Sequence, residues 1–362
     1  MFDPVGTHPS VVVSAVAARS LSKAQAQIAK YALGDSTRAY GSYADLLADP
    51  NIDAVYIPLP NGLHCEWAIK AMEAGKHVLI EKAIASNANQ AENIRKCSAA
   101  TGKVALEAFH WLFYPAAHTI KAAVESGKYG NVQSITARLC LDSGTLAEDD
   151  IRFSYSLAGG ASLDLAYVFS GATYFASPSM KDSKYKVLEA TARLNKRDPK
   201  IDDAMRATFS VEYPGQPAVT CSVEADLNQS RLFGLIPKFW NLSPLLVIEL
   251  EKARIEFPNF PGPWVYHKIT TTEKDSTGAL TGKKHTEKCH VNGPVWGSRG
   301  AAWWTTYRYQ LEAFAERVRE AESTDGGNRP SKTPWVSLDN SVKLMELIDS
   351  VYEKAGLPKR GL

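Results

Sequence analysis

Residues 54–94 read AVYIPLPNGLHCEWAIKAMEAGKHVLIEKAIASNANQAENI, and their order decides the fold. The run that starts at Ile52, IDAVYIPLP, is apolar and β-branched, as strands buried on both faces of a parallel sheet are. EWAIKAMEAG follows as a helix with Gly75 as its stop. KHVLIEK is the next strand, NQAENIRKCSAATG a helix ending at Gly102, and KVALEAF a further strand. Upstream, VVVSAVAA (residues 11–18) reads as another buried strand. Ser22, three residues before Gln25, has capping-box spacing for a helix running to about Leu33. Alternation at this spacing predicts a doubly wound α/β domain over residues 1–109.

Beyond Phe109 the pattern changes. A helix over residues 115–126 precedes strand candidates VQSITARL, YKVLEATARL, DAMRATFSVEY, AVTCSVEADL, LLVIELEKARIEF and VYHKITTTE, with no comparable helices between them. This predicts an α+β second domain over residues 110–362 with an open, mostly antiparallel sheet. Two helices, about residues 303–322 and 338–355, close the chain and can pack back on the first domain. The polar segment 272–290 reads as an exposed loop.

Composition narrows the partners. The chain has 362 residues, 45% hydrophobic and 22% charged, with a formal net charge of +2. That balance points away from nucleic acid or an anionic membrane and toward a small-molecule substrate. The five cysteines show no C-x-x-C, which suits reduced thiols in a cytoplasmic protein. The first ten residues lack a signal-peptide pattern, and the apolar stretch 232–250 is broken by prolines, a lysine and an asparagine, so no membrane span is expected. No histidine or cysteine cluster has metal-ligand spacing.

Ligands of open α/β sheets bind beyond the carboxyl ends of the strands. Three such ends converge here: Arg19 and Ser20 after the first run, Pro60, Asn61 and His64 after the second, Glu81 and Lys82 after the third. Alone, Glu81-Lys82 is more often a solvated pair, and His64 a helix-start histidine bound to backbone. Arg19 serves equally as a 2′-phosphate partner or as an ordinary helix-entry arginine.

The 54–94 stretch closely resembles the Gfo/Idh/MocA oxidoreductases, which carry P-N-x-x-H followed by A-G-K-H-V-x-x-E-K-P. The likeness continues through LEAFHWLFYPA, DDIRFSYSLAGGASLDLAYV, LFGLIPKFW, WWTTYRYQLEAF and DSVYEKAGLP. It is strongest toward the branch of dimeric dihydrodiol dehydrogenase and NADP-dependent D-xylose dehydrogenase. The resemblance implies a Rossmann-like domain, a homodimer through the C-terminal sheet, and NADP-dependent hydride transfer on a cyclic polyol, sugar or dihydrodiol. It implies Lys82 as the catalytic lysine, with Asp164 and Tyr167 of GGASLDLAYV beside it. Arg19, Ser20, Pro60, Asn61, His64, Glu81 and Lys82 fall at its cofactor positions. Tyr167 stands three residues after Asp164 where the family usually has four, and both offsets share one helix face.

The chain departs from the family at its front. No G-x-G-x-x-G and no strand precede residue 11, and MFDPVGTHP resembles the tail of the family's first helix. The glycine turn is what brings backbone N–H groups to a pyrophosphate, so NADP is expected to bind weakly or not at all without it. In the order 3-2-1-4-5-6 the missing strand is a middle one. The sheet then closes by pairing residues 11–18 directly with 54–58, another segment fills the gap, or the sequence belongs to a longer protein. Direct pairing is the expectation. Ala83 replaces the proline of E-K-P, and a cis bond before alanine costs about 3 kcal/mol, so Lys82 is expected to be aimed differently. Leu112 stands where an arginine is frequent. Two further readings follow: a non-redox isomerase, lyase or cyclisation enzyme that reuses the pocket, and a catalytically silent dimer partner. Trp303, Trp304, Tyr307 and Tyr309 read as domain-interface packing in preference to lining the substrate pocket.

Overall fold

The computed structural model describes residues 1–233, 235–323 and 333–361, the side chain of Trp240 excepted; Gly234 of LFGLIPKFW lies outside them. The first part runs α1 (Phe2–Gly6), β1 (Ala15–Ala17), α2 (Leu21–Lys30), β2 (Arg38–Tyr40), α3 (Tyr43–Ala48), β3 (Ala54–Ile57), α4 (Asn61–Glu73), β4 (His77–Ile80), α5 (Ala88–Thr101) and β5 (Ala105–Glu107). Then come α6 (Pro115–Glu125), β6 (Val132–Asp142), α7 (Ala161–Asp164), α8 (Tyr167–Ala176), β7 (Lys184–Leu194), β8 (Asp202–Glu212) and β9 (Val219–Gln229). The chain ends with α9 (Phe239–Leu242), β10 (Leu245–Leu250), β11 (Ala253–Pro258), β12 (Ile269–Lys274), β13 (Leu280–Glu287), α10 (Thr306–Glu322) and α11 (Leu338–Lys354). This is a Rossmann-type α/β domain followed by an eight-stranded, mostly antiparallel sheet; only β6 and β9 pair in parallel there.

The Rossmann sheet is divided. β1 pairs in parallel with β2, and β3, β4 and β5 form a separate parallel sheet. The expected direct pairing of residues 11–18 with 54–58 does not occur. Each half is tied to its own helices: α3 packs on β1 and β2, α4 on β3 and β4. The ring of Tyr43 on α3 meets that of Trp67 on α4 edge-on at 4.9 Å. One edge of β1 is spent on β2 and one edge of β3 on β4, and Phe2, Trp67 and Phe314 are among the apolar groups that stand around the gap between their other edges. A cavity of about 470 Å³ lies between β1 and β3. Only Ala15–Ala17 of the 11–18 run is strand, and Val12 is 81% exposed.

Other elements differ in detail. Ser20, not Ser22, caps α2, accepting from the Lys23 amide at 3.4 Å. The short β2 and α3 carry too weak a pattern to be read in advance. LLVIELEKARIEF makes two strands, because Glu251 and Lys252 turn the chain between β10 and β11. Residues 280–287, expected as loop, are the edge strand β13, whose exposed polar side chains hide its periodicity. The last helices begin and end within a few residues of expectation, α10 starting at Thr306 behind its cap Thr305.

In the large sheet, β9 buries Val219, Cys221, Val223, Ala225 and Leu227 on one side, and Cys221 faces α8. The apolar alternation of this strand is therefore spent inside the molecule, and the outer face carries the Arg206–Glu224 ion pair and Thr208 beside Ser222. α11 packs back on α5, and the Ala88 amide donates to Asp349 at 3.1 Å.

One buried charge pair joins the chain's end to the second domain. Arg360 Nη2 lies 2.8 Å from Asp202 Oδ1, both side chains at 0% exposure. Asp202 also accepts from the Ser162 amide and hydroxyl and from Tyr352 Oη. Arg360 Nε donates to the Gly159 carbonyl at 2.9 Å. Removing one partner of such a pair strands the other charge, at about 3–5 kcal/mol. Arg360→Ala is expected to lose stability on that scale, measured by urea unfolding; a loss below about 1 kcal/mol would show that Asp202 is resolvated when its partner is removed.

Candidate active site

Lys82 leaves the end of β4 toward the second domain. Its Nζ donates to the Asp164 carbonyl at 2.8 Å and stands 5.5 Å from the centre of the Tyr167 ring. The Lys82–Ala83 peptide bond is cis, contrary to the expectation for alanine. His64 sits against it: Nδ1 lies 2.7 Å from the Ala83 carbonyl and Nε2 2.6 Å from the Leu59 carbonyl. Carbonyls only accept, so both bonds form together only when both ring nitrogens carry hydrogen. Burial keeps the His64 pKa below its ordinary value against the pull of the two carbonyls, so the neutral ring donates to one of them at a time. The imidazole sits between the end of β3 and the turn after β4.

α7 and α8 bring Asp164 and Tyr167 to the lysine. Gly160, ahead of α7, sits at φ +135°, and a Cβ there would meet Asp202 Oδ1 at 2.1 Å. Only glycine lets the chain pass this close to the buried Asp202–Arg360 pair. Gly62, in the first turn of α4, is also close: a Cβ there would stand 3.0 Å from the backbone of residues 156–157. Asn61 Nδ2 donates to the Ala158 carbonyl at 3.3 Å beside it. The end of β3 is therefore docked on the loop that leads into α7.

The Asp164 carboxyl receives the Gly160 amide at 3.3 Å and lies 3.8 Å from Arg152 Nε. Burial raises its pKa to about 6, against the pull of Lys82 and Arg152. Tyr167 Oη is 2.9 Å from His110 Nε2. Burial raises the Tyr167 pKa, and Tyr307 and Glu81 add to the rise. Tyr167 therefore keeps its proton, and Lys82 addresses the face of its ring. Burial, with Lys82 adding, drops the His110 pKa to about 3, which keeps the imidazole neutral.

The sequence assigned no role to His110, Tyr56 or Glu107, and for Tyr307 it favoured interface packing over lining the substrate pocket. His110 stacks on Tyr307 with centroids 4.0 Å apart. Tyr56 donates to Glu81 Oε1 at 2.7 Å, and the Lys82 amide donates to Glu81 Oε2 at 3.2 Å. The fully buried Glu107 accepts from the Ile84 amide at 2.8 Å, and burial raises its pKa to about 7. His110 and Glu107 lie in LEAFHWLFYPA, and Tyr307 in WWTTYRYQLEAF, so position in those stretches was the available signal. Of the four aromatics before and within α10, Tyr309 is interior packing, Trp303 is 61% exposed, and Tyr307 belongs to the site.

The proposed cofactor positions fall in two places. Glu81 and Lys82 are in the cluster, with Pro60, Asn61 and His64 at the start of α4. Arg19 and Ser20 lie at the end of β1, beyond the cavity. Arg19 is exposed and makes no hydrogen bond or ion pair among the described residues, and Ser20 caps α2.

Residues 4–109 match the Gfo/Idh/MocA family model, described as an oxidoreductase family with an NAD-binding Rossmann fold. The chain is 30% identical over 344 residues to D-xylose 1-dehydrogenase (NADP(+)) 2 of Haloferax volcanii, covering 94% of this chain and 89% of the relative. It is 27% identical over 290 residues to trans-1,2-dihydrobenzene-1,2-diol dehydrogenase of Bos taurus, covering 78% and 81%. Among solved structures, KijD10, a 3-ketoreductase from Actinomadura kijaniata in complex with TDP-benzene and NADP, aligns with TM-score 0.71 at 20% identity over 97% of this chain and 91% of that one.

The raised carboxyl of Asp164 has a consequence for stability. Unfolded, it ionises near 3.8, and folded near 6. Between these values the native state holds the extra proton, so stability falls as pH rises through that window. The shift is worth about 3 kcal/mol. Asp164→Asn cannot ionise, so its stability relative to wild type is expected to improve by up to about 3 kcal/mol between pH 4 and pH 7. Urea unfolding across that range checks it, and a pH-independent difference would mean that Asp164 titrates normally.

Proposed function

From the chain's place in the Gfo/Idh/MocA oxidoreductase family, to which it belongs, we propose that it is an NADP-dependent dehydrogenase or reductase acting on a cyclic polyol, sugar or dihydrodiol. The names of the Haloferax and Bos relatives support that substrate class. The observation that carries the reading is Lys82, whose ammonium is seated between the Asp164 carbonyl and the Tyr167 ring. One of its three N–H donors is used by that carbonyl, leaving others for a substrate oxygen.

NADP, when bound, supplies the hydride exchange. Arg19 is the group suited to the 2′-phosphate, since a free guanidinium can form paired hydrogen bonds to it. Ser20 lies beside it, and Pro60, Asn61, His64, Glu81 and Lys82 border the reacting end. In oxidation Lys82 polarises the substrate hydroxyl, and the Tyr167–His110 pair takes part in moving its proton. Asp164 holds Lys82 through its backbone carbonyl, and its side chain offers a further contact to a polyol. Residues 1–109 serve the cofactor, and residues 110–362 serve the substrate and a homodimer contact. The outer face of the eight-stranded sheet is the proposed dimer surface; its charged and hydroxyl groups suit a polar interface, and light scattering at micromolar concentration checks it.

The deciding experiment is titration of the protein with NADPH and NADH followed by fluorescence, then turnover on aldoses, cyclic polyols and dihydrodiols. NADPH is expected to bind in preference to NADH, and Arg19→Asp to abolish or reverse the preference. Equal affinities in both proteins would assign Arg19 a structural role. Lys82→Met should lower turnover roughly 100-fold or more while leaving NADPH affinity nearly unchanged. Failure of wild-type protein to bind either dinucleotide would move the assignment to non-redox chemistry.

A further inference from the structure

A second cavity, of about 240 Å³, lies between β5, α6, α8 and α11. Neither Lys82 nor Tyr167 borders it. Glu107 on β5, His118 on α6 and Ser341 on α11 do, at 1%, 7% and 1% exposure. Each of the three leaves one polar atom without a hydrogen-bond partner among the described residues: Glu107 Oε2, His118 Nε2 and Ser341 Oγ. A buried polar atom left unpaired costs about 1–3 kcal/mol. Three such atoms around one hollow point to an occupant that pairs with them.

The remaining atoms of two of these side chains are engaged. Glu107 Oε1 accepts from the Ile84 amide at 2.8 Å, and His118 Nδ1 lies 3.3 Å from Tyr174 Oη. The Ser341 hydroxyl acts on the Glu107 carboxyl, and the Leu112 backbone on the His118 ring, each short of a hydrogen bond of ordinary geometry. Ser341 and Glu107 therefore share one end of the cavity. The walls are otherwise mostly apolar, with Phe109, Phe113, Trp335 and Leu344 among them. Val295, 38% exposed, also borders the cavity and gives a way in. Among the described residues no lysine or arginine lines it, and Glu107 is its one acid. Burial raises the Glu107 pKa to about 7, with Lys82 pulling against the rise, and lowers that of His118 to about 4. An anion finds no cation here. A cation finds a carboxyl that burial biases toward its neutral form.

We propose that this cavity binds a small uncharged alcohol with an apolar ring, its hydroxyl seated between Glu107 and Ser341. A hydroxyl both donates and accepts, so it pairs with the carboxyl and the serine together whether or not the carboxyl is protonated. The ring fills the apolar part, and one water beside it serves His118 Nε2. An engineered apolar cavity of about 150 Å³ takes benzene, so 240 Å³ accommodates a ring with a short substituent. Water alone is the competing occupant. Each water has a share of about 30 Å³, so filling the cavity takes several, and three polar atoms anchor few of them against apolar walls. A polyol fits poorly, since its further hydroxyls would lose their partners here. The cavity is thus distinct from the site proposed for the substrate, although Glu107 ties it to the Ile84 amide, two residues after Lys82. This inference does not rest on dinucleotide binding.

The test is isothermal titration calorimetry of the whole chain with benzyl alcohol, toluene and benzylamine, which share a ring and differ in the group it carries. Benzyl alcohol is expected to bind once per chain, at least ten-fold more tightly than either of the others, because toluene leaves Glu107 and Ser341 unpaired. Ser341→Ala should remove most of that preference over toluene. Leu344→Phe, which fills part of the cavity, should weaken benzyl alcohol and toluene alike; if it fails to fold, Ser341→Ala decides. Lys82→Met should leave benzyl alcohol binding unchanged. No binding of benzyl alcohol to the folded wild-type protein would mean that water fills the cavity, and overturns the proposal. Equal binding of toluene, or tighter binding of benzylamine, overturns it too. So does a loss of affinity in Lys82→Met with none in Ser341→Ala, which would place the ligand at the Lys82 cluster.

Discussion

Asp202 is a buried carboxylate whose oxygens are approached by the Arg360 guanidinium, the Ser162 amide and hydroxyl, and the Tyr352 hydroxyl. These partners come from α7, α11 and the last residues of the chain, while Asp202 itself begins β8. A buried charge pair contributes little net stability, but its loss is costly, so its main effect is to fix relative positions. Here it fixes the start of α7. Asp164 lies two residues beyond Ser162, and Tyr167 five, so the carbonyl that holds Lys82 and the ring beneath it are set by this network. Gly160 is part of the same constraint, since any side chain there would displace the carboxylate.

The site's electrostatics follow from that packing. Burial acts on neighbouring groups with opposite results for charge. It raises Asp164 and Tyr167 and lowers His110, so each is biased toward its neutral form. Lys82 is left as the cation among them. A carboxyl near 6, a neutral imidazole and a retained phenol proton form a set suited to passing a proton and little suited to binding a metal. Among the described residues, no three histidine, cysteine or acidic side chains gather as metal ligands.

Much of this was legible in the sequence, for reasons of period and position. β3, β4 and α5 lie where the apolar runs and Gly102 place them, because a parallel sheet buried on both faces leaves a continuous apolar signal. Lys82, Asp164 and Tyr167, assigned through resemblance, do meet in space. His110 was not legible as a site residue, and for Tyr307 packing was preferred to pocket lining: a histidine and a tyrosine in aromatic-rich stretches look like core, and only the fold stacks them. β13 was lost because a polar edge strand lacks the alternation that marks a half-buried one. The failed pairing of β1 with β3 has a different cause. Backbone groups favour closing the gap, but β1 and β3 stand apart with apolar groups such as Phe2, Trp67 and Phe314 around the space between them, and strand patterns carry no information about that spacing.

The two halves of the catalytic problem are therefore supported separately. The Lys82 cluster hangs on β3, β4, the turn after β5, α7, α8 and the start of α10, and among the described residues none of these hydrogen bonds and ring contacts runs through β1. Arg19 and Ser20 hang on β1 and α2, across the open slot. His64 and Asn61 fasten the end of β3 to the cluster's side, so the slot lies between two bodies that are each internally bonded. Acid–base competence can then persist while the geometry across the slot changes. Dinucleotide affinity cannot on the proposed reading, in which the cofactor reaches from the end of β1 to Lys82. Whatever sets the width of the slot sets that reach, and the proton chemistry at Lys82 is free of it.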